Sequence, residues 1–137
     1  MSLHLIKLCV GADSIDDLRA WRAQQAAAGR RALVHTRQTP KRVDDLLDGG
    51  SLYWVIKGVV LVRQRLLAVD RIEEGAQSRC EILLDDVLQL TAPQPRRPFQ
   101  GWRYLDPKDA PPDLTAEAGE EAMSPELARQ LREIGAW

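Results

Sequence analysis

Histidine and cysteine, the residues that most often bind transition metals or act as nucleophiles, are scarce in this 137-residue sequence, which has two of each. His4 and His35 stand in apolar stretches, where a histidine usually belongs to a core or a sheet edge. Cys9 and Cys80 also stand in apolar runs and form no C-x-x-C motif, so we expect buried thiols in a reducing compartment. The sequence therefore predicts no metal site and no cofactor.

Long hydrophobic runs are absent as well. No apolar run approaches the roughly 18–20 residues that a membrane-spanning helix needs. The start, MSLHLIKLCV, is interrupted by Lys7 and lacks the basic-then-apolar layout of a secretion signal. We therefore expect a cytoplasmic protein with no membrane partner, and its length suits one domain of the common size.

Catalytic and phosphate-binding signatures are missing too. There is no G-x-S-x-G motif, and no histidine is placed by sequence to activate Cys9. Gly49-Gly50 follows a predicted helix instead of preceding one, which is the wrong polarity for a phosphate site at a helix N-terminus. The sequence alone names no reaction.

Charge is nearly balanced overall but is unevenly distributed along the chain. The formal net charge is −1, which argues against a protein that coats nucleic acid by bulk attraction. Residues 31–65 contain seven Lys and Arg against three Asp, whereas residues 109–137 contain two Arg against seven Asp and Glu. We therefore expect a folded surface with a basic side and an acidic side.

Periodicity and capping signals predict α and β elements in the first third of the chain. Residues 3–10 are apolar on both faces, as in a central strand. Ser14 is a candidate N-cap for a helix that continues to about Ala28, with Trp21 on its inward face. Residues 31–37 then predict a second strand.

The middle of the chain carries the densest apolar material. Thr39-Pro40 predicts the start of a two-turn helix, with a capping hydroxyl followed by proline. Residues 51–56 and 59–69 are rich in β-formers, and Lys57-Gly58 between them indicates either a tight hairpin or one bent strand. With strands near 79–84 and 87–91, residues 51–91 predict an antiparallel meander.

Residues 93–112, PQPRRPFQGWRYLDPKDAPP, show neither helical nor strand periodicity, so we expect an ordered coil over one end of the sheet. We assign 1–113 to a single domain and 114–137 to an acidic C-terminal segment with a terminal helix. The predicted fold is α+β, with a mixed or antiparallel curled sheet or partial β-barrel, two packed helices and a C-terminal helical tail.

Two groups of arginines stand near aromatic residues. Arg63 and Arg65 lie two apart on one strand face, an arrangement suited to phosphate or carboxylate. In the alternative interpretation they pair internally with acids such as Asp44, Asp48 or Glu81.

The second group lies in RRPFQGWRYL. Stacking aromatics beside guanidinium groups is typical of proteins that hold single-stranded bases. The alternative is that the aromatics plug the end of the sheet while the arginines face water. The group comprises Arg96, Arg97 and Arg103 with Phe99, Trp102 and Tyr104.

Three sequence blocks resemble a known family. MSLHLIKLCVGADSIDDL, TPKRVDDLLDGGSLYWVIKGVVLVRQRLL and RRPFQGWRYL are similar to the motifs of a bacterial family, domain-of-unknown-function family 1489. That resemblance implies no activity and no catalytic residue. In layout alone, the chain is also similar to the small pseudo-barrels of the PUA, ASCH and EVE group, which implies binding of RNA or modified bases.

Three functional hypotheses follow. The first is a non-catalytic RNA- or nucleotide-binding module. The second is a small enzyme acting on a nucleotide or phosphorylated metabolite, with Asp44, Asp48 or His35 as general base. The third is a protein–protein adaptor whose acidic tail or last helix docks a partner. For the first, the expected phosphate contacts are Lys41, Arg42, Arg63, Arg65, Arg96, Arg97 and Arg103, and the expected stacking residue is Trp102 or Tyr53. The RNA- or nucleotide-binding hypothesis requires the two arginine groups to lie on the same surface, beside an indole ring.

Overall fold

The structure, a computed structural model, describes residues 2–9, 11–75, 77–97 and 99–114. The predicted C-terminal helix lies outside these residues. None of the described helices is long and apolar enough to cross a membrane. The elements in chain order are β1 (His4–Leu8), α1 (Ile15–Ala27), β2 (Leu33–Thr36), α2 (Val43–Leu47), β3 (Ser51–Ile56), β4 (Val59–Glu74), β5 (Gln77–Leu84), β6 (Gln89–Pro95), β7 (Trp102–Leu105) and a 3₁₀ turn (Pro107–Asp109).

The strands form one mixed sheet of seven strands that is not closed. Its order is β2-β5-β4-β3-β1-β7, and β6 pairs with the first part of β4. The β1–β3 pair is parallel and the other pairs are antiparallel. Parallel neighbours need a long crossover, which here contains α1, β2 and α2. The predicted α+β class with a curled sheet is confirmed.

Strand β4 organises this sheet because its two parts have different neighbours. The strand has 16 residues; its first part lies between β3 and β6, and its second part pairs with β5. Register shifts interrupt all three of these ladders. Such irregularities bend a strand and increase its twist, so they account for the curl of the sheet.

The connection between β3 and β4 is a tight hairpin, which is one of the two alternatives that Lys57-Gly58 indicated. Lys57 has φ 53° and Gly58 has φ 79°, as a two-residue turn of the I′ type requires. Lys57 is the only non-glycine residue with positive φ among the described residues. Its ammonium group lies 3.0 Å from an Asp13 carboxylate oxygen.

The sheet buries apolar side chains on both faces. We call the face that carries Leu52 and Trp54 the inner face and the face that carries Tyr53 and Val55 the outer face; all six residues of β3 are buried. The main core lies on the inner face and receives Ile15 and Leu18 from α1 and Leu46 from α2. A smaller outer cluster consists of Ile6, Tyr53, Val55, Val60 and Leu105.

Helix α2 starts later than Thr39-Pro40 predicts. It begins at Val43, with Arg42 as the N-cap. The hydroxyl of Tyr104 accepts hydrogen bonds from the backbone N–H groups of Lys41 and Arg42. The N–H groups just after Thr39-Pro40 are therefore bonded to a distant residue and do not begin a helix. This tertiary contact outweighs the local preference for a helix start at the proline.

The prediction of a coil over residues 93–112 was wrong in part, because this segment contains β7 and the end of β6. β7 pairs with β1 in the register Lys7 with Trp102 and Ile6 with Arg103. A four-residue strand between proline-rich segments has too short a pattern to show the period of two. The hydrogen bonds that β1 offers define this strand.

Trp21 was predicted to face inward, but it is 38% exposed. Ile15 and Leu18 are buried, and the third buried residue of α1 is Arg22. The Arg22 guanidinium donates to the Asp86 carboxylate at 2.6 and 3.2 Å. This pair ties α1 to the β5–β6 loop, and Trp21 is left at the edge of a groove.

Candidate functional site

Arg63 lies on the outer face, where its charge is already matched. Two of its nitrogens donate to the two oxygens of the Asp113 carboxylate, each at 2.6 Å, and a third donates to the Ser51 hydroxyl at 2.8 Å. This is a bidentate pair, the strongest form of the Arg–carboxylate interaction. The alternative interpretation, internal pairing, holds for Arg63, although its partner is none of the acids named from the sequence.

The surroundings of this pair are partly desolvated. The hydrogen bonds from Arg63 lower the pKa of the Asp113 carboxyl below its ordinary value. Burial, and then the charge of Arg63, lowers the pKa of His4. His4 accepts the Ser51 backbone N–H at its Nδ1 (3.0 Å) and packs edge-on against Tyr53. Through its bonds to Asp113 and Ser51, Arg63 therefore holds Asp113 and the neighbouring chain against β4 and β3.

The Arg63–Asp113 pair predicts an acid-sensitive contribution to stability. A carboxyl whose folded pKa is depressed stabilises the fold above its unfolded pKa, and this contribution is lost as pH falls through the folded pKa. Because the Asp113 side chain is 43% exposed, we expect about 0.5–1 kcal/mol. Urea unfolding between pH 5 and 2.5 measures it: the free energy of unfolding should decline less steeply in Asp113→Asn than in wild type. Equal declines in both proteins would exclude this role.

Two other predicted arginines, Arg65 and Arg103, lie on the outer face, whereas Trp102 packs against the main core on the inner face. Arg65 is exposed and lies opposite Ser51, whereas Arg63 lies opposite Tyr53. Ser51 and Tyr53 are two apart in β3, so both arginines are on the outer face. Arg103 pairs with Ile6 of the outer cluster and its guanidinium lies 5.7 Å from the Phe99 ring centre.

The remaining members of the late group stay near their own segment. Arg96 donates to the Gln94 side chain at 3.0 Å and to the Asp109 carbonyl at 3.1 Å. Arg97 is exposed. Trp102 lies next to Arg103 in β7 and packs against the main core, so the common wall of both arginine groups beside an indole does not form.

A different basic–aromatic surface does form, at the edge of the inner face. We call it the hollow: a depression of about 520 Å³. It lies between β7, the β2–α2 loop, the end of β4 and the start of β5. The curl of the sheet brings these segments together. Its walls are three cations (Arg37, Lys41, Arg71), two aromatic residues (Trp102, Tyr104) and three polar residues (Gln38, Thr39, Ser78).

The aromatic wall of the hollow is fixed by hydrogen bonds to the β2–α2 loop. The Trp102 indole N–H donates to the Gln38 carbonyl at 3.0 Å, and the Tyr104 hydroxyl accepts the Lys41 N–H at 2.9 Å. The two rings meet edge to face, with centres 5.0 Å apart. The pair is thus held in one geometry before any ligand arrives, which reduces the entropy that binding must overcome.

The hollow has an excess of positive charge. Its described lining contains no acid. Arg71 forms a 3.4 Å ion pair with Glu73, but both side chains are mostly exposed, so the pair is weak. Among the described residues neither Arg37 nor Lys41 has an ion pair. Arg42 points its charge elsewhere, to the Asp45 carboxylate at 2.9 Å.

The candidate general bases do not join this surface. His35 lies 3.2 Å from a Glu81 carboxylate oxygen, and neither it nor Asp44 or Asp48 lines the hollow. Within the described ranges, no group of three or more His, Cys, Asp or Glu side chains is arranged to bind a metal ion. The described lining of the hollow offers cations and aromatic rings, which are groups suited to contact an anion and to stack against a flat ring.

The Cys9 thiol is not activated. Burial raises its pKa to about 11, so it is almost entirely protonated near neutral pH, and the thiolate is the nucleophilic form. Cys80 is fully buried, and burial raises its pKa as well.

Sequence reasoning found part of the hollow. Lys41 and Trp102 were both predicted to bind a ligand, and Tyr104 was recognised as part of the aromatic group. Arg37 and Arg71 were missed. Arg37 directly follows β2, so a cation at the end of a predicted strand was an available signal; Arg71 had none, because only the curl of the sheet brings it near β7.

Comparisons with known proteins identify a family. The sequence profile of the family described as "Protein of unknown function (DUF1489)" matches residues 5–137. No curated protein and no solved structure matches the chain. The likeness to the PUA, ASCH and EVE group is not confirmed and stays a prediction.

Proposed function

The chain belongs to the DUF1489 family, and we propose that it is a non-catalytic module that binds single-stranded RNA or a nucleotide in the hollow. The observation that carries this proposal is the rigid Trp102–Tyr104 pair beside three cations with no acid in the described lining. Such a surface matches the two chemical features that every nucleotide shares, a flat base and an anionic phosphate.

The size of the hollow suits one or two nucleotides of a strand. Sites for small ligands usually have volumes of roughly 300–1,000 Å³, and the hollow has about 520 Å³. Tyr104 is 39% exposed and therefore leaves ring surface accessible to a base. A base stacked on an aromatic side chain contributes roughly 1–3 kcal/mol.

The cations supply the phosphate contacts. Each phosphate that a protein neutralises on a single strand contributes about −0.7 to the slope of log K against log salt. Arg37, Lys41 and Arg71 together predict a slope near −2, so binding should weaken by roughly 20-fold between 50 and 200 mM salt. A ligand held by stacking alone would show little dependence on salt.

Fluorescence anisotropy of a labelled uridine octamer with the full chain tests the proposal. We expect Lys41→Ala and Arg71→Ala each to weaken binding several-fold and to make the salt slope shallower by about 0.7. Tyr104→Ala should weaken binding by about tenfold or more at every salt concentration, because it removes a stacking surface. Unlabelled uridine monophosphate as competitor shows whether one nucleotide is sufficient.

Arg65→Ala and Arg97→Ala are matched controls. Both residues are exposed arginines outside the hollow, so each substitution removes the same charge while leaving the hollow intact. Their binding curves should overlay that of wild type. Binding that depends on Arg65 or Arg97 and not on Lys41 or Arg71 would move the site to the outer face and refute the proposal.

A further inference from the structure

Helix α1 is incompletely packed against the sheet. Of its 13 residues only Ile15, Leu18 and Arg22 are buried. Trp21 is one turn beyond Leu18 on the same side of the helix, yet it is 38% exposed. An indole on the core-facing side of a helix normally contacts the sheet, so space remains between the second half of α1 and the strands.

That space is the α1 groove, a depression of about 710 Å³ between α1, the end of β1 and β2. Its floor is apolar and includes Leu8, Leu18, Leu33, Val34 and Trp54, and Trp21 forms one wall. The groove has the volume of a small-molecule site. An apolar floor of this kind gains free energy when a ligand's apolar surface displaces water.

The rim of the groove is cationic. Lys7, Arg30 and Arg31 line it, and none of the three forms an ion pair within the described part of the chain. The one acid in its described lining, Asp17, accepts the Asp13 backbone N–H at 2.9 Å in the cap of α1. The groove therefore has more positive charge than its own acids balance.

One of these cations is held by the fold. The buried Arg22 donates to the Arg30 carbonyl from two nitrogens, each at 3.4 Å, while its charge is matched by Asp86. This contact fixes the backbone at Arg30 where the chain leaves α1 and turns toward β2. The backbone that carries Arg30 is therefore held by hydrogen bonds to α1 and is not a free loop.

We propose that the α1 groove binds a small organic anion with a flat apolar body, of the class of aromatic phosphate monoesters or carboxylates. The apolar floor excludes a purely inorganic anion as the preferred ligand, and the cationic rim disfavours a neutral one. The proposed complex is non-covalent and depends on the apolar floor and the cations at the rim.

The α1 groove adjoins the hollow but is separate from it. Lys7 in the groove is the cross-strand neighbour of Trp102 in the hollow, so the two sites meet along that pair. A test must therefore distinguish them. Trp21 and Arg31 belong to the groove alone, and Lys41 belongs to the hollow alone.

Titration calorimetry of the full chain with three probes separates the contributions. 1-Naphthyl phosphate carries both ligand features, 1-naphthol only the apolar body, and inorganic phosphate only the charge. We expect 1-naphthyl phosphate to bind about tenfold or more tighter than either of the other probes. Equal affinity for 1-naphthyl phosphate and 1-naphthol, or no binding of 1-naphthyl phosphate, would overturn the proposal.

Variants then place the bound probe. Arg31→Ala should weaken 1-naphthyl phosphate at least about fivefold and leave 1-naphthol unchanged, whereas Trp21→Ala should weaken both. Arg31 is exposed and Trp21 is 38% exposed, so both variants should remain folded, which circular dichroism checks. Arg19→Ala, on the exposed side of α1, and Lys41→Ala serve as controls and should bind like wild type. Loss of binding in Lys41→Ala but not in Arg31→Ala or Trp21→Ala would assign the probe to the hollow and contradict the inference.

Discussion

Gly50→Ala is expected to prevent the chain from reaching its folded state at room temperature. A Cβ atom at residue 50 would overlap the backbone carbonyl oxygens of Leu3 and Leu46. These atoms are held in place, since Leu46 O accepts the Gly50 N–H at 3.0 Å and Leu3 N donates to Asp45 O at 3.1 Å. Relief requires a shift of the main chain where α2, β1 and β3 meet, so we expect a loss of more than about 4 kcal/mol.

The control for this substitution is Gly101→Ala. Gly101 has φ +69°, and a methyl group added there would meet no atom within 4 Å, so alanine at this position causes only backbone strain, about 1 kcal/mol. Circular dichroism and urea unfolding of both variants decide the comparison. Gly101→Ala should unfold cooperatively near the wild-type midpoint. A folded Gly50→Ala within about 1 kcal/mol of wild type would show that the junction is looser than described.

Gln64→Leu should cost about 3 kcal/mol, the second-largest effect that we expect. Gln64 is 1% exposed. Its side-chain oxygen accepts the Trp54 indole N–H and its nitrogen donates to the Asp85 carbonyl, both at 2.8 Å. Leucine fills a similar volume but leaves a buried donor and a partly buried acceptor without partners, at about 1–3 kcal/mol each.

A double-mutant cycle separates this loss from simple packing. Trp54→Phe removes the indole N–H, so it should cost less in the Gln64→Leu background than in wild type, with a coupling of about 1 kcal/mol. Gln94→Leu is the matched control, because Gln94 is only half-buried: its amide nitrogen donates to the Asp109 carbonyl and its oxygen accepts from Arg96. Water can replace both bonds, so their loss should cost no more than about 1 kcal/mol. Additive costs for Trp54 and Gln64 would mean that the buried bond contributes nothing specific.

The elements with local signals could be predicted from the sequence. Ser14 accepts the Asp17 N–H as an N-cap, and α1 and the β3–β4 hairpin lie where capping and turn residues place them. The strand β7 and the start of α2 could not be predicted, because each depends on a partner far along the chain. β7 needs the edge of β1, and the segment before α2 is held by Tyr104.

The residues of the hollow show the same division. Lys41 and Trp102, two ligand contacts predicted from residue type and neighbourhood, line it, but the arginines expected beside them lie elsewhere. Arg63 meets Asp113, 50 residues away, and no local pattern indicates that partner. The alternation of side chains along a strand separates Arg103 from the indole: Trp102 and Arg103 are consecutive in β7 and therefore point to opposite faces. Which arginines share a surface with an indole depends on strand register and curl.

Photo-cross-linking tests the binding proposal most directly. An oligouridine that contains 4-thiouridine is irradiated with the full chain at low salt, and the modified peptides are mapped by mass spectrometry. The proposal predicts cross-links at Trp102, Tyr104 or residues 37–41, which disappear when salt is raised. Cross-links confined to residues 59–69 and Arg97, or none at any salt concentration, would contradict it.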